Sequence, residues 1–392
     1  MKILYDHQSF EGRAGGIARY FSELMRRSAG LFEFELSLEY ADSVYLLDDP
    51  ATFPGLRRLT REPAAWEAWL QFRGGRRLLK WYNKWHDKPR RRQNRDRSQE
   101  TVRHGHYDLL HPTYYDPYFL DLIGDRPFVL TVYDMIHELF PQFFRKNDPT
   151  GPHKRLLAER AARIVAISEC TKRDLVRLYG VAPEKVDVVH LAGSLQPSPN
   201  PVTEWKWPPR YLLFTGMRRS YKNFETFVRA VAPRLRADAD LHLICTGNRF
   251  EFDEWRLLDD LGIRHKTTQT FVDDATLAEL YARAAAFVFP SLYEGFGFPV
   301  LEAFACGCPA LLSNTGSLPE IGGEAALYFD PNNVESIAFA VDQILDDPDC
   351  RERFIESGRQ RNALFTWEQT VRKTVDVYKT VLSPDASSAA SP

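Results

Sequence analysis

The sequence has little of what a disulfide or metal framework requires. Five cysteines among 392 residues is an odd number, and none forms a C-x-x-C pair. The nearest two, Cys306 and Cys308, lie in an apolar Ala-Gly-Pro setting, so the five read as reduced thiols of a cytoplasmic protein. No H-E-x-x-H, EF-hand loop, G-x-S-x-G or P-loop occurs, which removes the common zinc, calcium, serine-nucleophile and Walker-type sites. His104 and His106, two apart in a polar stretch, offer no ligand spacing. Long apolar runs are missing too. No window approaches the roughly 18 apolar residues of a spanning helix, and Met1-Lys2-Ile3-Leu4-Tyr5-Asp6-His7 is too short for a signal peptide. Charge of one sign is also lacking: the formal net charge is −2, so no global basic field points to nucleic acid.

What is present is a folded chain. Hydrophobic residues make up 44% and aromatics 13%, enough to exclude disorder over most of the length, and the length suits two domains. Short runs rich in Val, Ile, Leu and Phe alternate with stretches of helical period. The runs predict strands at 3–6, 32–40, 108–112, 128–134, 163–168 and 186–190, then at 211–216, 241–247, 268–272, 286–291, 310–314 and 326–330. Continuous apolar strands separated by helices indicate parallel sheets covered on both faces. The expected fold class is therefore α/β, with two doubly wound domains in succession. Gln196-Pro197-Ser198-Pro199-Asn200-Pro201, followed by Pro208-Pro209, can continue neither helix nor central strand. That places a linker at 196–209, a first domain at 1–195 and a second at 210–365. Residues 367–382 have a helical period, with Trp367, Val371, Val375 and Tyr378 on one stripe. The Ser/Ala/Pro tail 383–392 has little to bury.

Residues 57–97 break the pattern, with fourteen Lys/Arg against four Asp/Glu and Trp66, Trp69, Phe72, Trp81, Tyr82 and Trp85 interleaved. Basic charge beside aromatics suits an interfacial helix attracted to anionic lipid. It equally suits a helical insertion whose aromatics pack on the first domain while its arginines stay hydrated. Nucleic acid is the weaker partner, because the rest of the chain is acidic.

Open α/β sheets bind ligands at the carboxyl ends of their strands, so the loops after strands carry the chemistry. Ser291-Leu292-Tyr293-Glu294-Gly295-Phe296-Gly297-Phe298-Pro299-Val300-Leu301-Glu302 reads as strand, glycine loop and helix start, with Pro299 suited to the first helical position. The glycines permit close approach of backbone to ligand, and free N–H groups at the helix mouth favour an anion. Glu294 and Glu302 would then grip different hydroxyl-bearing parts of one molecule; alternatively Glu302 only complements the helix dipole. A second loop, Gly216-Met217-Arg218-Arg219-Ser220-Tyr221-Lys222-Asn223, places cations at a helix start with Asn223 as the expected N-cap, the composition of a diphosphate clamp or of a solvated basic loop. A third, Gly12-Arg13-Ala14-Gly15-Gly16, is not a dinucleotide fingerprint. His137, in Tyr133-Asp134-Met135-Ile136-His137, would face the cleft or serve as a structural hydrogen-bonder. Ser317-Leu318-Pro319-Glu320 reads as a capping box.

These residues resemble the retaining glycosyltransferases of family 4, which have the GT-B fold, over nearly the whole chain. Glu294 and Glu302 match the family's E-x7-E motif in its Gly295-Phe296-Gly297-Phe298-Pro299 setting, and the Gly216–Asn223 loop is similar to its phosphate-binding segment. Val165-Ala166-Ile167-Ser168 and Phe365-Thr366-Trp367-Glu368 look like further landmarks. The resemblance implies two Rossmann-like domains facing across a cleft, with a nucleotide-sugar donor on the second and a glycan or lipid-linked glycan acceptor on the first. By the same resemblance Arg218 and Lys222 bind the diphosphate and Glu294 the donor sugar. Glu302 takes the ribose hydroxyls, Gly295, Phe296, Gly297 and Phe298 line the pocket, Val272 touches the base and Gly16 approaches the phosphates. The helix 367–382 crosses back onto the first domain, and neither a metal nor a cofactor is required. Tyr133 stands where many members carry His; His137, or the Tyr133 hydroxyl beside Asp134, would take that contact. Details of the Tyr221-Lys222-Asn223 and Asp134-Met135-Ile136 segments are similar to bacterial surface-polysaccharide mannosyltransferases, which suggests GDP-mannose. UDP-glucose, UDP-N-acetylglucosamine and dTDP-rhamnose are the other donors to weigh. A GT-B sugar-nucleotide 2-epimerase and a non-catalytic sugar-nucleotide-binding partner share the plan. The expected location is the cytoplasm, peripheral at the inner membrane face.

Overall fold

The structure is a computed structural model that describes residues 1–13, 15–60, 73–197, 205–218 and 220–383, without the side chains of 73–84 and 86. The aromatic residues Trp66, Trp69 and Phe72, the side chains of Trp81 and Tyr82, half of the linker, Arg219 and the tail beyond Ser383 lie outside the described parts.

The first domain holds strands β1 (Lys2–Tyr5), β2 (Glu33–Leu36), β3 (Tyr40–Ala41), β4 (Arg57–Arg58), β5 (Leu109–His111), β6 (Val129–Val132), β7 (Arg163–Ala166) and β8 (Val186–Val188). The second holds β9 (Arg210–Thr215), β10 (Leu241–Thr246), β11 (Thr267–Thr270), β12 (Ala286–Phe289), β13 (Ala310–Ser313) and β14 (Ala326–Phe329). In the first domain β2-β1-β5 and β6-β7-β8 are joined by a parallel bridge between Leu110 and Phe128. The second sheet runs β11-β10-β9-β12-β13-β14, and every pairing is parallel. Strand order reverses between β1 and β5 in one domain and between β9 and β12 in the other. These are the crevices where such sheets take ligands.

All twelve strands expected from the apolar runs are there, but most end one to four residues early. Asp134 and Ser291, for example, fall in loops, because the chain leaves the ladder as it reaches the cleft. The Asp134 carboxylate accepts from the Ile136 amide (3.0 Å), turning the backbone away from the ladder. Period-two reasoning did not show the small β3–β4 pair. It arises because Asn94, buried on the long helix Arg73–His104, satisfies three backbone groups beside it. Its Oδ1 accepts from the Glu39 and Tyr40 amides (3.2 and 2.9 Å), and its Nδ2 donates to the Tyr40 carbonyl at 2.8 Å. The same helix docks through Ser98 on His7 Nδ1 (2.8 Å) and the Ser37 carbonyl (2.8 Å). From residue 87 onward it is thus anchored to the first domain by polar contacts, while Trp85 remains 66% exposed. Among the described residues no helix is long and apolar enough to cross a membrane.

The helix Trp367–Leu382 follows the second domain in sequence but packs on the first. Trp367 Nε1 donates to Ser194 Oγ (3.1 Å) and Thr370 Oγ1 to the His190 carbonyl (2.7 Å). At its far end the Tyr378 hydroxyl is buried between the Tyr5 hydroxyl (2.9 Å) and His111 Nδ1 (2.6 Å). Burial pushes the His111 imidazole down to about 3, so this ring is neutral and joins the network as donor and acceptor, with Nε2 on Thr131 Oγ1. Tyr378→Phe strands two buried polar groups and is expected to cost about 1–3 kcal/mol in urea unfolding; unchanged stability would contradict the assigned network.

Candidate functional site

The loop after β12 is the centre of the site. Gly297 has φ of 105° and caps the helix Phe298–Ala305, with Pro299 in its first turn. Only glycine adopts that backbone readily, and no side chain caps the helix; Pro299 has no N–H and the Val300 amide donates to the Gly297 carbonyl (2.9 Å), so the Phe298 N–H is the donor the mouth offers. Ser317 pins the loop within its own domain, donating from Oγ to the carbonyls of Glu294 and Phe296, both at 2.9 Å. From the other domain Ser168 Oγ donates to the Gly295 carbonyl (2.7 Å), with Thr171 Oγ1 at 3.3 Å. Glycine is compulsory at 295: a Cβ there would sit 1.8 Å from the Tyr133 carbonyl oxygen and 2.8 Å from Asp134 Cβ. The two domains therefore touch backbone to backbone, and Asp134 lies at the contact.

Lys222, from the loop after β9, reaches this loop directly. Its Nζ lies 2.6 Å from Glu294 Oε1 and above the Phe289 ring (5.1 Å), while the Leu292 amide donates to the Tyr221 carbonyl at 2.7 Å. Cation and carboxylate are both largely buried, so each neutralises the other. Arg218 does not join them. Its Nε donates to Glu254 Oε1 (2.9 Å), its Nη2 to the Asn248 carbonyl (2.5 Å), and its guanidinium stacks on Phe250 at 4.3 Å. A carboxylate fork and an aromatic face after β10 suit a planar guanidinium better than a shared cleft does. Of the two cations expected to bind the diphosphate, Lys222 reaches the Glu294 loop and Arg218 lies on Glu254, its Nη1 buried and, among the described residues, without a hydrogen-bond partner. Asn223 is also not the expected side-chain cap: it takes a left-handed conformation and donates to the Pro331 carbonyl.

Glu302 points toward the opposite wall. It is buried, accepts from Tyr281 Oη (3.3 Å) and pairs with Arg19 of the first domain at 3.1 Å. Burial lifts its carboxyl above the ordinary range and Arg19 opposes that rise. Gly16 opens the helix Gly16–Arg26, where a Cβ would stand 3.0 Å from the Phe298 ring; it meets the mouth of the anion-favouring helix through that ring. Val272 is half-buried in the turn between β11 and the helix Asp274–Arg283.

Two expected contacts change. The Tyr133 hydroxyl donates to the Thr113 carbonyl (2.8 Å) inside its own domain and is spent there. His137 stacks on Phe144 (centroids 3.8 Å) with Nε2 4.0 Å from Asp148. Burial first, and then Lys154, lower its imidazole, so it stays neutral among groups of the first domain instead of joining Lys222 and Glu294.

Pattern reading missed the residues that join the two domains, because pairing partners far apart in sequence leave no periodic trace. Ser317 and Glu320 form no capping box: Ser317 makes no cap to its helix. Glu320 instead accepts from the amides of Glu169 (2.8 Å) and Cys170 (3.0 Å) and from His190 Nε2 at 2.6 Å. Burial acts to raise the Glu320 carboxyl, but these donors outweigh it and hold it below the ordinary range. Lys154, fully buried, donates to the Asp134 carbonyl (2.8 Å) and Glu138 (2.9 Å). Tyr293 donates to Asp174 across the interface at 2.8 Å. Among the described residues no group of three or more His, Cys, Asp or Glu is placed to hold a metal.

Gly295→Ala forces the Tyr133 backbone away. The expected result is a loss of about 1–3 kcal/mol or a more open particle by small-angle scattering; a variant as stable and as compact as the parent would contradict the contact.

Residues 201–361 match the family described as Glycosyl transferases group 1, and residues 14–192 match Glycosyltransferase Family 4. The chain is similar to O-antigen chain mannosyltransferase B of Escherichia coli, 30% identical over 97% of this chain and 100% of that protein. It is also similar to O-antigen chain mannosyltransferase RfbU of Salmonella typhimurium, 26% identical over 57% of this chain and 60% of that one. Among solved structures, sucrose-phosphate synthase from Thermosynechococcus elongatus superposes with a TM-score of 0.70 at 20% identity, over 98% of this chain and 100% of the other. HepE of Anabaena in complex with UDP-glucose gives 0.70 at 16%, over 97% and 100%. Facing doubly wound domains, the Glu294–Glu302 loop at a switch point and these likenesses lead to one conclusion: the chain belongs to the family 4 glycosyltransferases and has the GT-B fold.

Proposed function

We propose that the protein transfers a hexose with retention of configuration from a nucleotide-sugar, with GDP-mannose as donor, to a glycan or lipid-linked glycan during surface polysaccharide synthesis. The observation that carries this is the 2.6 Å Lys222–Glu294 pair beside the uncapped start of the helix Phe298–Ala305. A cation and a helix mouth suit a diphosphate, and a carboxylate suits sugar hydroxyls. The printed names of two relatives, both O-antigen chain mannosyltransferases, favour mannose.

The Lys222–Glu294 pair suggests an order of events. An arriving diphosphate competes for Lys222 and frees Glu294 for the sugar. As the sugar–phosphate bond breaks, negative charge grows on the leaving oxygen, and Lys222 with the Phe298 N–H stabilises it more than in the ground state. That oxygen takes the acceptor proton on the face it leaves, which preserves the anomeric configuration without a protein nucleophile. No metal or cofactor is assigned a part. Arg218 is the second cation proposed for the diphosphate, with an Nη1 that is buried and, among the described residues, without a hydrogen-bond partner.

Lys222→Ala is expected to lower turnover of GDP-mannose by about 100-fold or more in protein that circular dichroism shows to be folded, with a lower melting temperature because Glu294 loses its partner; near-normal turnover would overturn the assignment. Membrane contact through 57–97 is part of the proposal. It rests on the exposed Trp85 and on Lys88, Arg91, Arg92 and Arg95 exposed along the same helix, a mixture that suits anionic headgroups. Binding to phosphatidylglycerol vesicles that weakens when these four become Ala would support it; binding indifferent to lipid charge would contradict it.

A further inference from the structure

Arg19 lies in the helix Gly16–Arg26 of the first domain, yet all its ion pairs are with the second. Nη1 donates to Glu302 Oε1 at 3.1 Å and Nη2 to Asp274 Oδ2 at 2.8 Å, while the guanidinium lies 5.1 Å from the Tyr45 ring centre. Its side chain and that of Glu302 are each 11% exposed. Asp274 opens the helix Asp274–Arg283, two residues beyond Val272. One guanidinium therefore spans the carboxylate of the helix Phe298–Ala305 and the turn after β11, the two parts of the second domain nearest the nucleoside end of the proposed donor.

We propose that Arg19 is a positioning residue for that end of the donor: it holds the Glu302 carboxylate ionised and oriented for two ribose hydroxyls, and so ties nucleoside binding to the first domain. This rests on the proposed assignment of Glu302 to the ribose. An ionised carboxylate presents acceptors on both oxygens, whereas a protonated one gives up part of that capacity. Among the described residues the charged and titratable groups facing Glu302 are Arg19, Asp274, Tyr45 and Tyr281, with Cys306 following on its own segment. Arg19 is the only cation among them. Asp274, Tyr281 and Cys306 give no positive charge to replace it. Burial already lifts the Glu302 carboxyl, and removal of Arg19 leaves that burial unopposed. Protonation then begins at higher pH, and nucleotide affinity falls as pH drops through the displaced value.

The test is isothermal titration of the full chain with GDP and, in parallel, UDP between about pH 6 and pH 8.5, using the parent, Arg19→Lys, Arg19→Ala and Glu302→Gln. Melting curves check each fold. Titration of the nucleotide's own phosphate is common to all four proteins and cancels in the comparison. In Arg19→Ala the acid-side loss of affinity should move up by about one pH unit or more, with Arg19→Lys close to the parent and Glu302→Gln weak and without the displaced step. If Glu302→Gln binds nucleotide as the parent does, the ribose assignment falls and takes this inference with it. If Glu302→Gln binds weakly but Arg19→Ala matches the parent at every pH, or is weakened equally at every pH, the inference alone is overturned.

Discussion

The contact of Gly295 with the backbone of Tyr133 constrains everything else in the site. It brings the carboxyl edges of two sheets, each built from its own stretch of chain, into van der Waals contact, so loops after β1, β6, β9 and β12 share one small volume. Ser168 and Thr171 on one side and Ser317 on the other fasten the Glu294–Phe298 loop by its carbonyls. Those bonds take up backbone acceptors and involve neither the Phe298 N–H nor the Glu294 side chain, whose partner is Lys222.

Charge is distributed in the cleft by a simple rule. Each buried carboxylate has a cationic or hydrogen-bonding partner: Glu294 with Lys222, Glu302 with Arg19, Glu320 with His190 and two amides, Glu138 with Lys154. An unpaired buried charge costs several kcal/mol, so none of these pairs can be broken without a replacement. Two of the four cross between domains. Opening of the domains would part Glu302 from Arg19 and Glu320 from His190 and the two amides, and closure restores those partners, so charge pairing favours the closed arrangement.

Much of this was legible in the sequence, for physical reasons. Strands buried on both faces are continuous apolar runs, so all twelve were visible, although loop chemistry at Asp134 and Ser291 trimmed their ends. The Glu294–Glu302 spacing is local, because the turn, the proline and the helix lie within twelve residues. Lys222 was found for the same reason. Arg218 shared its loop, but its conformation is decided by Glu254 and Phe250, about thirty residues on, and nothing local announces that. His137 was assigned from position after a strand and Tyr133 from the resemblance; in the structure the Tyr133 hydroxyl donates within the first domain, and His137 stacks on Phe144 there. Arg19, Lys154 and Glu320 act through partners on other elements. The roles of Arg19 and Glu320 exist only once the two domains meet, and that of Lys154 only once the first domain has folded.

The central claim is that Lys222 and Glu294 exchange each other for the two halves of one sugar diphosphate. A crystal structure of the protein soaked with GDP-mannose tests this most directly. The account predicts the diphosphate at the start of the helix Phe298–Ala305 with a phosphate oxygen on Lys222 Nζ, and Glu294 turned onto a mannosyl hydroxyl. A bound nucleotide-sugar elsewhere, with the Lys222–Glu294 pair still closed, would contradict it.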